Sequence, residues 1–357
     1  MALSLYQYER KMKSNNISDF SSMTSGLIIA NQFSGVVTDF NSQYSEIVNT
    51  LRIERSNIAE RLATKLADNP SFIGMRGEGV NLAWKYEQAD IKMGGSGSAD
   101  WNEEQRREIL DTGKVRGAEG HHGKNVADHP EDQADPDNIK FYNSRPQHLE
   151  EGHDGNWQNE SDMPKTDKEA ILRRTNSRRV VNKELQGIAL SAAIGFGIGA
   201  SIEVISTLAR EGVSIKTVRL AFVNGLKAGL KSAAFAVGAH VLSRVINFAL
   251  QRVPGMTAAW ANIIGTPIVM AIFSAIEYYI LKKNGYTSLD AFKQVIKDAA
   301  IRLVIWAISF IPYCGSYISL AANLAYTAFG FVKEQKEAKF DKELNLKMVQ
   351  WSLPEFA

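Results

Sequence analysis

The C-terminal half of the chain contains a run of 30 residues, 303–332, without a single charged side chain. Soluble domains rarely keep so long a stretch uncharged, whereas about 20 apolar residues in a helix cross a lipid bilayer. Three more apolar stretches precede it, each with one charged residue: 187–209 with Glu203, 232–250 with Arg244 and 257–281 with Glu277. Residues 187–332 are therefore predicted to form membrane-embedded helices, with a glycine-rich soluble bundle as the alternative.

Glycines recur at helical spacing in this apolar half. Gly195 and Gly199 are four apart, as are Gly225 and Gly229. This spacing lets helix backbones approach closely in lipid, which predicts tight helix pairing and allows a homo-oligomer built through these helices. Glu203, Arg244 and Glu277 lie at depth, and we expect them to pair with each other or to face a cavity.

The distribution of basic residues predicts the topology of the apolar half. Lysines and arginines crowd 173–183, 210–231, 282–302 and 333–347, and the positive-inside tendency places such segments in the cytoplasm. Both flanks of 187–209 are then on one side, so this stretch is expected to be re-entrant or interfacial. Residues 303–332 are expected to fold back near 312–316.

The N-terminal half is polar and divides into three segments. Residues 1–93 are predicted to be mostly helical, with a loosely ordered start over 1–25 and an amphipathic helix over 44–67 that ends at Asn69-Pro70. A Gly-Ser linker at 94–98 opens a module over 94–164, in which Asp100 or Asn102 is expected to cap a short helix. Residues 165–186 are a basic connector and form the third segment. At the C-terminal end of the chain, residues 333–357 form a charged tail.

Composition excludes two broad classes of function. A net charge of +2 argues against a protein that coats nucleic acid by bulk charge. Cys314 is the only cysteine, which excludes an internal disulfide framework and a cysteine-based zinc finger.

Five of the six histidines lie within 33 residues of the 94–164 module: His121, His122, His129, His148 and His153. Adjacent residues on a strand point to opposite sides, so one ring of the pair His121-His122 can face a metal while the other faces water. The module has too few large apolar residues for a core of its own, and a bound metal is the usual substitute. Three imidazoles favour Zn²⁺, Mn²⁺ or Ni²⁺, whereas Mg²⁺ prefers oxygen ligands.

The module resembles the GHH-type branch of the HNH/endonuclease VII superfamily, small nucleases often found as toxin modules in bacterial secretion systems. The resemblance covers about 98–160 and rests on DWNEEQ at 100–105, LDTGKV at 110–115, GAEGHH at 117–122, VADHPE at 126–131, ADPDNI at 134–139, His148 and HDGNW at 153–157. Gly123 departs from the family, which usually has an apolar residue after the histidine pair.

The resemblance implies an α+β fold in which a small ββα-metal module stands between the N-terminal helical region and the C-terminal membrane bundle. It implies that His121, His148 and His153 bind a divalent metal (Zn, Mn, Ni or Mg). His122 would be the general base, and Asn138 would position His122 or ligate the metal.

Other residues have plainer interpretations. His129 lies in an Asp-His-Pro turn and is expected to be structural, while His240 is expected to be an interhelical histidine. Trp101 and Trp157 are expected in the core of the module, rather than as base-stacking platforms. Lys124, Lys140 and Arg145 surround the motif and could meet phosphates. The basic cluster at 173–179 is expected to anchor the chain to anionic lipid.

Three functions remain open from the sequence. The first is a membrane-anchored HNH endonuclease at the bacterial inner membrane, with its nuclease module in the cytoplasm, cutting DNA in defence or exclusion of incoming DNA. The second is a delivered nuclease toxin whose apolar helices insert into or cross a target membrane and whose partner is an immunity protein. The third is a non-enzymatic pore or sensor with a structural metal site.

Overall fold

The computed structural model describes residues 2–311 and 314–352. The chain forms two compact units. Residues 37–182 make up one, called here the polar unit, and residues 1–36 and 183–357 make up the other, the apolar unit.

Helix α1 (Ala2–Asp68) begins in the apolar unit and ends in the polar unit, where Asn69-Pro70 stops it as predicted. Its residues 44–67 form the predicted amphipathic helix, because Val48, Leu51 and Ile58 are buried against Leu82 of helix α2 (Arg76–Lys92). Burial of this apolar stripe holds α1 and α2 together.

Helix α3 (Glu103–Thr112) follows the glycine-serine linker. The Asn102 side chain accepts a hydrogen bond from the Gln105 backbone, and the Gln105 side chain accepts one in return from the Asn102 backbone. This reciprocal pair is a capping box, and it confirms Asn102 as one of the two predicted caps. The helix ends at Gly113, whose φ of +83° is readily adopted only without a side chain.

A two-stranded antiparallel sheet lies in the middle of the polar unit. Strand β1 (Glu119–His122) pairs with strand β2 (Ile139–Tyr142). Helix α4 (Arg145–Gln147) follows and continues directly as a π-helical turn, His148–Gly152. Ile139 and Phe141 of β2 pack on Trp84 and Trp101, so the prediction that Trp101 lies in the core is confirmed.

In the part of the chain that the structure describes, five long helices follow the π-helical turn, and together with the start of α1 they make up the apolar unit, although the first of them begins within the polar unit. Their bounds are α5 (Lys168–Glu211), α6 (Ile215–Leu250), α7 (Ala258–Lys283), α8 (Ser288–Ile308) and α9 (Gly315–Ser352). Among the described residues, α5, α6 and α7 are long and apolar enough to cross a membrane. Helix α5 is continuous through 187–209, so a re-entrant turn within that stretch is wrong.

The apolar unit exposes much of its apolar surface and buries polar side chains alongside apolar ones. Only 33%, 28% and 33% of the most apolar windows of α5, α6 and α7 are buried, and Phe222 and Leu230 are more than 60% exposed. Its interior contains Ser34 and Asn247, both of which donate to the side-chain oxygen of Asn262. Apolar surface of this extent marks contact with lipid or with another protein.

The paired glycines bring α5 and α6 together. A Cβ on Gly195 would lie 2.7 Å from the Ser232 carbonyl oxygen, and one on Gly199 would lie 2.6 Å from that of Ala228. A Cβ on Gly225 would lie 2.6 Å from Val204 Cγ2. The predicted close helix packing is therefore present within one chain, and a homo-oligomer through these glycines would have to displace it.

Of the two alternatives expected for Glu203, Arg244 and Glu277, pairing with each other is wrong, whereas Glu277 does line a cavity. Each has a different partner: Arg210 lies 3.4 Å from Glu203, Glu184 accepts from Arg244, and Arg302 lies 3.1 Å from Glu277. The long arginine side chains reach these carboxylates from nearby helical turns or from a neighbouring helix, which satisfies each charge locally.

The start of the chain differs from its prediction, and two other predicted features lie partly outside the described residues. The loosely ordered start over 1–25 is wrong, because α1 begins at Ala2, and Phe20 and Met23 are buried in a cluster with Val269 and Trp306. The helical structure is interrupted between the end of α8 at Ile308 and the start of α9 at Gly315, which includes the region of the predicted fold-back. Residues 312 and 313 of this region lie outside the described part. The predicted charged tail begins inside α9, and its residues 353–357 also lie outside the described part of the chain.

Candidate metal centre

Three histidines from separate parts of the polar unit meet at one point. One ligand atom from each of His121, His148 and His153 lies within 4.8 Å of the others. His121 is on β1, His148 opens the π-helical turn, and His153 directly follows the turn as its C-cap. His121 Nδ1 is 2.9 Å from His148 Nε2, so these two nitrogens face each other closely enough to share an ion.

The π-helical turn explains how two histidines five residues apart reach the same point. In an α-helix the best spacing for one face is three or four residues, and His148 and His153 miss it. A π-helix closes its hydrogen bonds over five residues, which brings i and i+5 close together. The rings of His148 and His153 accordingly lie with centroids 5.1 Å apart.

Gly152 leaves room for the cluster. A Cβ at this position would lie 2.9 Å from His148 Cδ2 and 3.4 Å from His121 Nδ1. Real Cβ atoms essentially never come within 3.0 Å of a neighbour, so any side chain here would push the His148 ring away from its place.

Each of the three rings is also held from behind. Glu119 Oε2 lies 2.6 Å from His148 Nδ1, Ser161 Oγ lies 2.8 Å from His121 Nε2, and the Asn159 carbonyl oxygen lies 3.1 Å from His153 Nδ1. Histidines that ligate metals almost always use their second nitrogen in this way, because the outer partner orients the ring and fixes its tautomer. The donor set therefore fits a divalent transition metal.

The protonation of His121 suits the same role. Burial lowers its pKa to about 3, and the neighbouring His148 and His153 add to the effect when they are charged. At neutral pH the ring is therefore uncharged, which is the form that binds a metal.

A short segment after the cluster positions Ser161. Met163 N donates to the Gly123 carbonyl at 2.7 Å, and Asn125 N donates to the Ser161 carbonyl at 3.0 Å, so 161–163 runs beside the end of β1. A Cβ at Gly123 would lie 3.3 Å from that of Met163. Gly123, the departure from the family pattern, thus allows this segment to approach closely.

His122 faces away from the cluster partners of His121, as expected for its neighbour on a strand. Its Nε2 lies 2.9 Å from the Gln133 carbonyl oxygen. A carbonyl can only accept, so Nε2 carries the proton and Nδ1 is left as the acceptor of the neutral ring. Burial lowers the pKa of His122, which keeps the ring neutral.

Asn138 makes its contacts with backbone, not with the histidine cluster. Its side-chain oxygen accepts from Lys124 N at 2.7 Å, and its Nδ2 donates to the carbonyls of Lys124 and Asp132 at 3.2 Å. These bonds tie together the two ends of the loop between β1 and β2. The same loop carries Gln133, whose carbonyl holds His122.

Two other residues of the motif, His129 and Trp157, are not candidate ligands in the three-histidine cluster. His129 forms a second group with Glu131 and Asp132, but Lys165 already occupies Asp132 Oδ1. Trp157 is 44% exposed, so the expectation that it lies in the core is wrong.

Sequence reasoning missed the outer partners of the cluster. Glu119 could have been found, because it is two residues before His121 on a strand and therefore on the same face. Ser161 and Asn159 carry no such signal, since only the path of the chain after the π-helical turn brings them to the rings.

Comparison with known proteins agrees with the resemblance noted in the sequence. Residues 73–143 match the family model described as a GHH-signature-containing HNH/Endo VII superfamily nuclease toxin. The match starts before α2, whose Trp84 packs on β2, and it ends before His148. No curated protein and no solved structure matches the chain.

Proposed function

We propose that the polar unit is a metal-dependent HNH-type endonuclease that hydrolyses phosphodiester bonds in DNA, taking as premise the match of residues 73–143 to the GHH-signature nuclease toxins. The observation that carries the proposal is the convergence of His121, His148 and His153, each held from behind by an outer partner. Strands β1 and β2, α4 and the π-helical turn would then be the ββα-metal module.

The chain's own residues supply the rest of the chemistry. A divalent ion held by the three imidazoles would polarise a phosphoryl oxygen and stabilise the leaving alkoxide. His122 would act as the general base: its Nε2–H is fixed on the Gln133 carbonyl, and its Nδ1 would take the proton of the attacking water.

Asn138 would be a positioning residue in this scheme. It contacts neither the His122 ring nor the three ligands in the bonds described above, but it closes the loop that presents the Gln133 carbonyl. Loss of its side chain would weaken the hydrogen bond to the Gln133 carbonyl that fixes the tautomer and the orientation of the His122 ring.

The test is metal-supplemented nicking of plasmid DNA by the full chain, purified in detergent. Wild-type protein should nick in Zn²⁺, Mn²⁺ or Ni²⁺ and should lose activity in chelator. His122→Ala should lower the rate by about 10²- to 10⁴-fold, the usual contribution of a general base. His129→Ala, a change of the same residue type on the loop, is the matched control and should be neutral.

The proposal fails if His122→Ala nicks as fast as wild type. It also fails if His148→Ala and His153→Ala bind Zn²⁺ as tightly as wild type, because both residues are assigned to the ion.

We further infer that the apolar unit holds this nuclease at a bacterial inner membrane, with the polar unit in the cytoplasm. Helices α5, α6 and α7 are long and apolar enough to cross a bilayer and expose most of their apolar windows. Basic residues crowd 173–183, where the chain leaves the polar unit, and the positive-inside tendency places such a segment in the cytoplasm.

The biological role has two alternatives, defence against incoming DNA and delivery as a toxin. The matched family is described as nuclease toxins, which favours the toxin and, with it, an immunity protein as partner. Inducible expression in a bacterial host separates the two. A toxin should kill the host through His122, so His122→Ala should be harmless and a co-expressed neighbouring gene should restore growth.

Harmless expression of active wild-type protein favours defence instead. Killing that persists in His122→Ala, together with dye efflux from liposomes, would favour the pore or sensor.

A further inference from the structure

Trp157 lies at the surface beside the histidine cluster. Its side chain is 44% exposed, whereas Trp84 and Trp101 in the same unit are 7% and 3% exposed. A large aromatic side chain left in water beside a candidate active site is unusual, because burying its ring elsewhere would stabilise the fold.

The contacts of Trp157 place it against two of the candidate ligands. Its ring centroid is 5.2 Å from that of His148, nearly perpendicular at 86°, and 5.2 Å from that of His153. The guanidinium carbon of Arg145, an exposed residue, stands over the indole at 5.4 Å. An aromatic face and a cation with several donors are thus presented together at the edge of the cluster.

The charges around this edge make an electrostatic attraction of nucleic acid weak. Exposed Glu150, Glu151, Asp154 and Glu160 lie on the same stretch of chain as Arg145 and Trp157. Stacking of a base on an aromatic ring depends little on net charge and needs only a free π-face. Arg145 covers one face of the indole, so on stacking of a base there its guanidinium would move to a neighbouring phosphate, a contact for which it is well suited.

We propose that Trp157 and Arg145 form a nucleotide-binding platform that stacks one unpaired base next to the bond to be cut, while Arg145 contacts a neighbouring phosphate. Both faces of a base inside a duplex are covered by its neighbours, so the platform selects single-stranded or locally unpaired DNA. This inference rests on the proposed nuclease function and specifies its substrate class.

The test measures binding without chemistry. The full chain, in detergent and chelator, is titrated into a fluorescein-labelled 12-nucleotide single strand and into a hairpin duplex of matched sequence, and anisotropy is read. Wild type should bind the single strand more tightly. Trp157→Ala should weaken single-strand binding by roughly 5- to 100-fold, as loss of one stacked base does, and should leave duplex binding unchanged.

Matched variants separate stacking from general damage. Trp157→Phe keeps a π-face and should stay within a few fold of wild type. Leu110→Ala removes another exposed apolar side chain of the polar unit and should have no effect. Arg145→Gln should weaken binding and reduce its salt dependence by about one phosphate contact, whereas Arg107→Gln, on the exposed face of α3, should do neither.

A Zn²⁺ titration of the same variants tests the competing role of Trp157 as packing for the histidines. The platform predicts that Trp157→Ala binds Zn²⁺ as wild type does. Weaker Zn²⁺ binding with unchanged single-strand binding overturns the inference, as does a wild type that binds no single strand. If Trp157-dependent binding is present but no metal supports nicking, the platform stands and the nuclease proposal fails.

Discussion

At the scale of single residues, the candidate metal centre depends as much on supporting side chains as on its ligands. Glu119, Ser161 and Asn159 each engage one nitrogen of a histidine ring. The free energy of metal binding would otherwise be reduced by the entropy of ordering three mobile rings. Loss of such an outer partner should therefore lower the affinity for the metal by a measurable amount.

The first prediction concerns Glu119. In Glu119→Gln the negative charge that orients the His148 ring is lost, so the affinity for Zn²⁺ should fall by about 10-fold or more. Competition with a chromophoric chelator measures it. Glu150→Gln, an exposed carboxylate on the same π-helical turn, is the control and should bind as wild type. Equal affinities in the two variants would show that Glu119 does not support the ion.

The second prediction concerns Gly152. An alanine fits the helical backbone and raises helix propensity by about 0.5–1 kcal/mol, but its methyl group would displace the His148 ring. Gly152→Ala should thus keep or raise the melting temperature in chelator and weaken Zn²⁺ binding by roughly 10-fold. Gly77→Ala has no neighbour within 4 Å and should leave Zn²⁺ affinity unchanged. A loss of melting temperature in chelator would contradict this explanation.

At the scale of elements, the apolar unit is held together by small residues and local ion pairs. Helices α5 and α6 meet at the glycines spaced four apart, where a bare backbone allows the closest approach. The charged residues at depth pair with arginines or carboxylates that the sequence alone did not connect, such as Arg302 on α8 with Glu277 on α7.

A pair of glycines on α5 allows this packing to be tested. Gly199 faces α6, while a Cβ on Gly197 would meet nothing within 4 Å. Gly199→Ala should lower the free energy of unfolding in detergent by about 1–3 kcal/mol through overpacking. Gly197→Ala should be neutral or slightly stabilising. Thermal unfolding followed by circular dichroism compares them, and equal melting temperatures would argue against close α5–α6 packing in solution.

At the scale of the whole molecule, the two units differ in what their surfaces require. The polar unit buries its apolar side chains in two clusters, whereas the apolar unit exposes many of them. A polar unit that carries a candidate metal centre and a helical unit that exposes apolar side chains would together suit the boundary between water and a membrane, as proposed.

Topology can be measured with a single cysteine. Cys314 is the only cysteine, so Cys314→Ser gives a background in which Ser56→Cys, an exposed position in the polar unit, is the only thiol. For a polar unit in the cytoplasm, a membrane-impermeant maleimide should label it only after lysis. Labelling in intact spheroplasts would place the polar unit outside. The Cys314→Ser background alone controls for nonspecific labelling.

The sequence by itself was sufficient for features that depend on local composition and spacing. It identified the apolar half, the amphipathic helix over 44–67, the two candidate caps Asp100 and Asn102, and the five clustered histidines, because periodicity and residue chemistry act over a few turns. Tertiary structure decided the rest. It buried Phe20 and Met23 of α1, placed Glu119, Ser161 and Asn159 behind the rings, and left Trp157 in solvent. These outcomes depend on which distant segments meet, and that is set by the packing of the whole chain rather than by any one stretch of it.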